Sequence, residues 1–306
     1  MSASPDDELI EGVAADLGVD PAFVEKDWHA MRLIAVLARV NHPGVIPVFA
    51  GGTSLSKGYG LIKRFSEDLD FKLQCPAGVM KRMERREYRA QIVAAIRGNE
   101  AWSVPAEDIK SRNESRYFSC SVHYHSAFER TQALRPHLKL EVSFIPPAFQ
   151  TTACALRSFV AQAQRDDPEV ASIECISPTE TAAEKLSALS WRVLARDRDS
   201  PQDDPTLIRH LHDLAAIEGQ IAIGADFTSL VSRLLDEDAS RGRLWRDNPA
   251  MSGQERVSAA LNRLAQDPEY HREYQRFVTG MSYAANAEIP GYQQALQSVH
   301  RLLATL

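Results

Sequence analysis

Apolar and polar positions change their period several times along the chain, and each change marks an element. Across residues 6–40 the apolar residues recur at helical spacing, which predicts helices. Asp20 caps the second of these and Pro21 takes its first position, with Phe23, Ile34 and Leu37 on the buried stripe. Val45 to Ala50 is a short apolar run ended by Gly51-Gly52 and predicts a buried strand. Thr53 to Gly60 predicts a short helix leaving that strand, and Asp68 to Leu73 alternates as the next strand. Met80 to Arg97 predicts a charged amphipathic helix. Residues 102–163 are rich in β-branched and aromatic residues, with breaks at Asn113, Pro136 and Pro146-Pro147, and read as strands. Within them Leu138, Leu140, Val142 and Phe144 alternate with Lys139, Glu141 and Ser143, so a single carboxylate sits mid-strand on the polar face.

The texture changes after Cys175. Ser177-Pro178-Thr179-Glu180 is a capping box with proline at the first helical position, and a helix to about Arg196 follows. Arg198 to Pro205 is a polar loop. Beyond it only helical periodicity remains: Phe227, Leu230, Val231, Leu234 and Leu235 share one face, as do Tyr270, Tyr274, Phe277 and Met281. The prediction is an α/β domain over residues 1–175, with N-terminal helices, and an all-helical domain over 176–306.

Composition narrows the class. With 306 residues, 44% hydrophobic and 25% charged, the chain can bury a large core as an ordinary globular protein. A net charge of −6 argues against a protein coated in nucleic acid and leaves room for a local basic groove. The four cysteines and nine histidines fall at no zinc-ligand spacing. The acidic start is not a signal peptide, and no apolar run reaches membrane-spanning length. A cytoplasmic protein without a membrane partner is expected.

Residues 50–73 carry the candidate chemistry. Asp68 and Asp70 lie two apart on a strand and so face the same way, roughly 6.5–7 Å apart along the chain. Two such carboxylates repel unless a cation sits between them, and magnesium suits them. Glu141 would complete a three-carboxylate site able to hold two metals. Gly51 and Gly52 permit a tight turn, Thr53 and Ser54 offer hydroxyl and N–H groups at a helix N-terminus, and Lys57 lies four residues on from Thr53. The spacing is not that of a P-loop, and Asp68-Leu-Asp-Phe lacks the Gly-Thr that follows in haloacid-dehalogenase-type phosphatases. Each piece alone is commonly a turn or a solvated strand residue. Together, in this order, a phosphate cradle and a metal pair imply phosphoryl or nucleotidyl transfer.

Gly51-Gly52-Thr53-Ser54-Leu55-Ser56-Lys57, followed by Arg64-Phe65-Ser66-Glu67-Asp68-Leu69-Asp70, resembles the AbiEii/AbiGii and MenT toxins, within the polymerase-β-type nucleotidyltransferase superfamily. Val24-Glu25-Lys26-Asp27-Trp28 resembles that family's N-terminal helix, and the likeness runs from about residue 20 to 220. The resemblance implies a mixed sheet with flanking helices, an NTP substrate used with Mg2+ or Mn2+, and a toxin–antitoxin system with a cognate antitoxin. It also implies an RNA acceptor, the 3′ end of tRNA, whose modification blocks translation. It adds Lys185 and Asp213 to Asp68, Asp70 and Glu141 as catalytic residues. Lys185, Arg192 and Arg209 join Gly51, Gly52, Thr53, Ser54 and Lys57 as nucleotide ligands. Arg209 and Asp213, four apart on a helix, also read as a surface ion pair. Ser66 matches a serine whose phosphorylation silences relatives. Lys81 to Arg89, and Arg241 to Arg246 with its central tryptophan, are candidate basic patches for RNA. Transfer to a protein or a small molecule is the alternative; a non-catalytic binding module is disfavoured by the presence of all three carboxylates.

Overall fold

Strand alternation fixes which residues meet in this chain. The computed structural model describes residues 5–75, 78, 80–129, 134–239 and 251–306. Two helices come first, α1 (Asp7–Leu17) and α2 (Pro21–Ala38). The Asp20 carboxylate accepts from the Ala22 N–H at 2.9 Å, so Pro21 opens α2 as expected. Then follow β1 (Ile46–Ala50), α3 (Gly51–Lys57), β2 (Asp68–Gln74), α4 (Arg82–Arg97), β3 (Trp102–Ser103), β4 (Lys110–Arg112), β5 (Tyr117–Tyr124), β6 (His137–Ser143), β7 (Thr152–Leu156), α5 (Phe159–Gln164) and β8 (Val170–Cys175). The strands form one sheet in the order β3-β5-β6-β2-β1-β8-β7, with β4 also pairing β5. Pairs β2–β6 and β1–β8 are parallel and the others antiparallel, giving the mixed sheet that the family resemblance implies.

One face of this sheet is apolar. Leu69, Phe71 and Leu73 of β2, Leu138, Leu140 and Val142 of β6, and Phe118, Cys120 and Val122 of β5 are all buried. They form one core with Met31 and Ile34 of α2 and with Tyr88, Ile92 and Ile96 of α4. Each fully buried aliphatic or aromatic side chain contributes about 1.5–3 kcal/mol, so this face holds the register. The alternate residues of the same strands point to the opposite, half-buried face.

Two elements differ from expectation. Helix α3 begins at Gly51 itself and not at Thr53. The strand texture does not run to residue 163, because Phe159–Gln164 is helical. Ser158 caps that helix by accepting from the Ala161 N–H at 3.0 Å, and Asp27 accepts from the Phe159 N–H at 2.8 Å. An acceptor supplied from α2, 132 residues away in sequence, overrides the local strand preference.

Contacts group the chain into two compact units: Met1–Gly60 with Phe65–Ile176, and Leu61–Arg64 with Ser177–Leu306. The second is helical, with α6 (Pro178–Leu194), α7 (Arg209–Ile217), α8 (Ala225–Asp238), α9 (Gly253–Gln266), α10 (Pro268–Met281) and α11 (Tyr292–Leu303). Ser177 caps α6 by accepting from the Glu180 N–H at 3.1 Å. Phe227, Leu230, Val231 and Leu235 are buried as predicted, as are Tyr270, Tyr274 and Phe277, whereas Leu234 and Met281 lie half-exposed. The strap Leu61–Arg64 is held by the helical unit: the Tyr283 N–H donates to the Lys63 carbonyl at 3.0 Å, and Ser282 Oγ donates to the same oxygen at 3.1 Å. No described helix is long and apolar enough to cross a membrane.

His29 of α2 makes the sheet's core sensitive to acid. Its Nδ1 accepts from Trp102 Nε1 at 3.2 Å, and burial, with Arg32 nearby, lowers its pKa to about 4. The unfolded chain therefore takes up a proton below pH 6.5 that the folded chain refuses until about pH 4. The contribution is fully present above pH 6.5 and is lost progressively down to about pH 4. At about 1.4 kcal/mol per unit it amounts to about 3 kcal/mol at most. Urea unfolding at pH 7 and pH 4.5 should show this loss in the wild type and a smaller one in His29→Gln.

Candidate active site

The β2–β6 register places Asp70 directly opposite Glu141 and Asp68 opposite Lys139. Because β2 and β6 both turn their apolar residues to the helices, Asp68, Asp70 and Glu141 emerge together on the other face. Helix α3 starts against these carboxylates. A Cβ added to Gly51 would lie 2.0 Å from Asp70 Oδ2, and Gly51 has φ +72, so only glycine permits this approach. Thr53 Oγ1 donates to the Asp68 carbonyl at 2.7 Å and Ser54 Oγ donates to the Gly51 carbonyl at 3.0 Å. The Thr53 hydroxyl therefore ties the glycine turn to β2, and the Ser54 hydroxyl closes the turn on itself.

Basic side chains balance the acidic ones. Arg135 Nη1 lies 2.6 Å from Asp68 Oδ1, and Lys139 pairs with Glu141. Arg135 is itself fixed through its backbone: its N–H donates to Glu67 Oε1 at 2.7 Å and its carbonyl accepts from Lys26 Nζ at 2.7 Å. Lys26 and Glu67 pair with each other. The Tyr117 hydroxyl hydrogen-bonds Glu141 and Ser119, and burial followed by the Glu141 charge raises its pKa. Hard carboxylate oxygens on one face suit Mg2+ or Mn2+. Among the described residues, however, they are not drawn into a cluster of three metal-ligating side chains. Asp68 and Glu141 each turn to a neighbouring cation instead, so the three remain candidate donors.

The expected phosphate ligands lie elsewhere than the spacing suggests. Lys57 does not face a phosphate site: its Nζ is 2.6 Å from Asp27 Oδ1 and 3.3 Å from the centre of the Phe159 ring, and both partners of the ion pair are buried. Burial lowers the Lys57 pKa and raises that of Asp27, against their mutual attraction. Helical spacing from Thr53 misled here, because the far end of α3 dives into the core.

In the helical unit Lys185 and Asp213 meet. Lys185 Nζ lies 2.7 Å from Asp213 Oδ2, and Arg64 forks onto the same carboxylate with Nε 2.6 Å from Oδ1 and Nη2 2.5 Å from Oδ2. His212 Nδ1 is 3.2 Å from Oδ1. Burial alone would raise the Asp213 pKa; the Arg64 and Lys185 charges hold it well below the usual carboxylate range. Arg209 does not pair with Asp213. It donates to Asp204 at 3.1 Å and to Thr206 Oγ1 at 2.5 Å, because the 3-10 turn Pro205–Ile208 brings Asp204 beside it. Arg192 reaches the same Asp204 at 3.1 Å. His210 is buried with both ring nitrogens unbonded, and burial, then Arg209 and Lys185, keep it neutral. Ser66 is half-buried between Arg64 and the start of β2.

Sequence reasoning missed Arg64, Arg135 and Tyr117. Arg64 stands inside the quoted motif and was there to be weighed; Arg135 and Tyr117 carry no local signal. The Lys81–Arg89 patch lies largely on α4, whose Tyr88 packs the apolar face, opposite the carboxylates. The Arg241–Arg246 patch lies outside the described residues.

The sequence profile of the family described as "Nucleotidyl transferase AbiEii toxin, Type IV TA system" matches residues 35–298, a span that holds every candidate site residue. No curated protein matches the sequence significantly. Among solved structures, MenT4, a nucleotidyltransferase toxin from Mycobacterium tuberculosis H37Rv, is similar with a TM-score of 0.52 and 20% sequence identity over 99% of each chain, a likeness of fold. The chain belongs to the AbiEii family and is a nucleotidyltransferase toxin of a type IV toxin–antitoxin system.

Two substitutions test this geometry. Gly51→Ala forces a side chain into the Asp70 carboxylate at a left-handed backbone position, where strain alone costs about 1–2 kcal/mol. Chemical denaturation should show at least that loss. Asp213→Ala leaves the Arg64 and Lys185 charges buried without their shared partner, for which about 3–5 kcal/mol is expected. A thermal melt no lower than wild type would contradict that account of Asp213.

Proposed function

We propose that this nucleotidyltransferase moves a nucleoside monophosphate from an NTP onto the 3′-terminal hydroxyl of an RNA, with tRNA as the acceptor, and thereby blocks translation in the cytoplasm. Its activity would be countered by a cognate antitoxin. The observation that carries this reading is the pairing of Asp70 with Glu141, with the Gly51 turn against Asp70. In the reaction the acceptor oxygen bonds to the α-phosphorus as the bond from that phosphorus to the bridging oxygen breaks, and pyrophosphate leaves.

Asp68, Asp70 and Glu141 would hold Mg2+ or Mn2+, which when bound supplies positive charge for the triphosphate. The backbone N–H groups of Gly52, Thr53 and Ser54 point the phosphates at the carboxylate face, while the Thr53 and Ser54 hydroxyls keep the turn in place. Glu141, oriented by the Tyr117 hydroxyl, accepts the proton of the acceptor hydroxyl. On the helical unit we assign Lys185, Arg192 and Arg209 to phosphate charge, with Asp213 holding Lys185 in one rotamer. Catalysis is then positioning and charge neutralisation with no covalent enzyme intermediate. Ser66 lies two residues before Asp68, so a phosphate placed there would oppose the incoming triphosphate.

The test incubates the protein with each labelled NTP and total RNA. Label should move to RNA with Mg2+ or Mn2+ present, and Asp68→Ala should reduce the rate by roughly a hundredfold or more. Equal transfer by both proteins, or none by either, would overturn the mechanism. Label found on protein or on a small molecule would transfer the assignment to those acceptors.

A further inference from the structure

Helix α7 carries two histidines with different surroundings. His212 Nδ1 lies 3.2 Å from Asp213 Oδ1, and its ring packs beside Tyr274 and Phe277 with centres 6.2 and 5.7 Å away. It is a satisfied core residue. His210 is 9% exposed, and neither of its ring nitrogens has a hydrogen-bond partner among the described residues. A neutral imidazole holds one N–H donor and one acceptor nitrogen, whichever tautomer is present. Burying both unmet disfavours the folded state, whereas an apolar side chain of similar size would not. Filling the interior therefore does not account for a histidine here.

Its charged neighbours suggest what does. Arg209 precedes it on α7, Lys185 and Arg192 belong to α6, and each of these three acts on the ring more strongly than Asp213 does. Lys185 and Arg192 are seven residues apart, roughly 10 Å along the helix axis, and His210 is near enough to feel both. Arg192 and Arg209 each reach Asp204 at 3.1 Å, and Lys185 lies 2.7 Å from Asp213. An anion can approach with all of these pairs still made. The Arg192 and Arg209 side chains are 33% and 18% exposed, so the group meets water on their side.

A neutral donor suits position 210 better than a charged one. A fourth cation would be repelled by the other three, and a carboxylate would occupy them in place of a ligand. An uncharged N–H does neither, and it can still donate to an oxyanion that the three cations attract.

We propose that His210 is a further ligand of the NTP, its ring N–H donating to an oxygen of the triphosphate drawn in by Lys185, Arg192 and Arg209. The proposal rests on the reading of those three residues as phosphate ligands and adds an uncharged donor to them. In the free protein the ring is held without a partner; in the nucleotide complex its donor is satisfied.

The test is isothermal titration of the full chain with sodium tripolyphosphate, without divalent metal, so that no metal at the sheet carboxylates contributes. His210→Leu should bind at least about tenfold more weakly, as expected for a lost hydrogen bond to an anion. It should also melt no lower than wild type, because it removes two unmet polar atoms. His210→Gln keeps an N–H donor and should bind within about threefold of wild type. A second readout needs no stable leucine variant. In protein with 15N-labelled histidine, tripolyphosphate should shift the ring resonance that is missing from His210→Gln. Wild-type affinity in a folded His210→Leu, or no shift of that resonance, would overturn the proposal. If Arg192→Gln weakens binding while His210→Leu does not, the cations bind phosphate without His210, and only this proposal falls. If wild type binds no tripolyphosphate, the assignment of Lys185, Arg192 and Arg209 falls with it.

Discussion

The parallel pairing of β2 with β6 is the constraint on which the candidate site depends. Nothing in either strand alone brings Asp70 to Glu141, which lie far apart in sequence. The pairing is fixed from behind, where Leu69 and Phe71 and then Leu140 and Val142 are sealed under α2 and α4. A slip of one residue would send these apolar side chains into solvent and the carboxylates into the core, so the price of misregister falls on the whole face at once. The geometry of the candidate site is thus a by-product of hydrophobic burial on the opposite side of the same sheet.

Charge in this protein is handled in two distinct ways. Asp27 with Lys57, and Asp213 with Arg64 and Lys185, are shut away from water. Breaking one of these would strand a charge in the interior, so they behave as fixed scaffold. Asp68 with Arg135, and Glu141 with Lys139, are partly exposed. There the desolvation cost is small and each pair contributes little to stability. The exposed pairs lie on the polar face of the sheet; of the buried ones, Asp27 with Lys57 lies within the sheet unit, and Asp213 with Arg64 and Lys185 within the helical unit. Arg64 belongs to the strap Leu61–Arg64 that groups with the helical unit, where it is paired with the buried Asp213 carboxylate.

Local rules were enough for much of this. The alternation in residues 68–73 and 138–144, the capping signals at Asp20 and Ser177, and the glycine pair after β1 were all legible, because each depends on neighbours within a few residues. The same chain of motifs was enough to suggest the family to which the profile assigns the chain. Helix α5 was not legible, since its first free N–H is satisfied by Asp27 from another element. Nor was the fate of Lys57, because helical spacing states which side of a helix a residue occupies and not what lies against that side.

By itself, then, the sequence determined which residues alternate, where elements begin, and which family the chain resembles. Tertiary structure decided the partners: that Glu141 neighbours Asp70, that Arg209 goes to Asp204 and leaves Asp213 to Arg64, and that Arg135 reaches Asp68. The physical reason is range. Backbone propensity and side-chain period act over a few residues, whereas an ion pair is chosen among all charges that packing brings within a few ångströms, and packing is settled by apolar surface contributed from the whole chain.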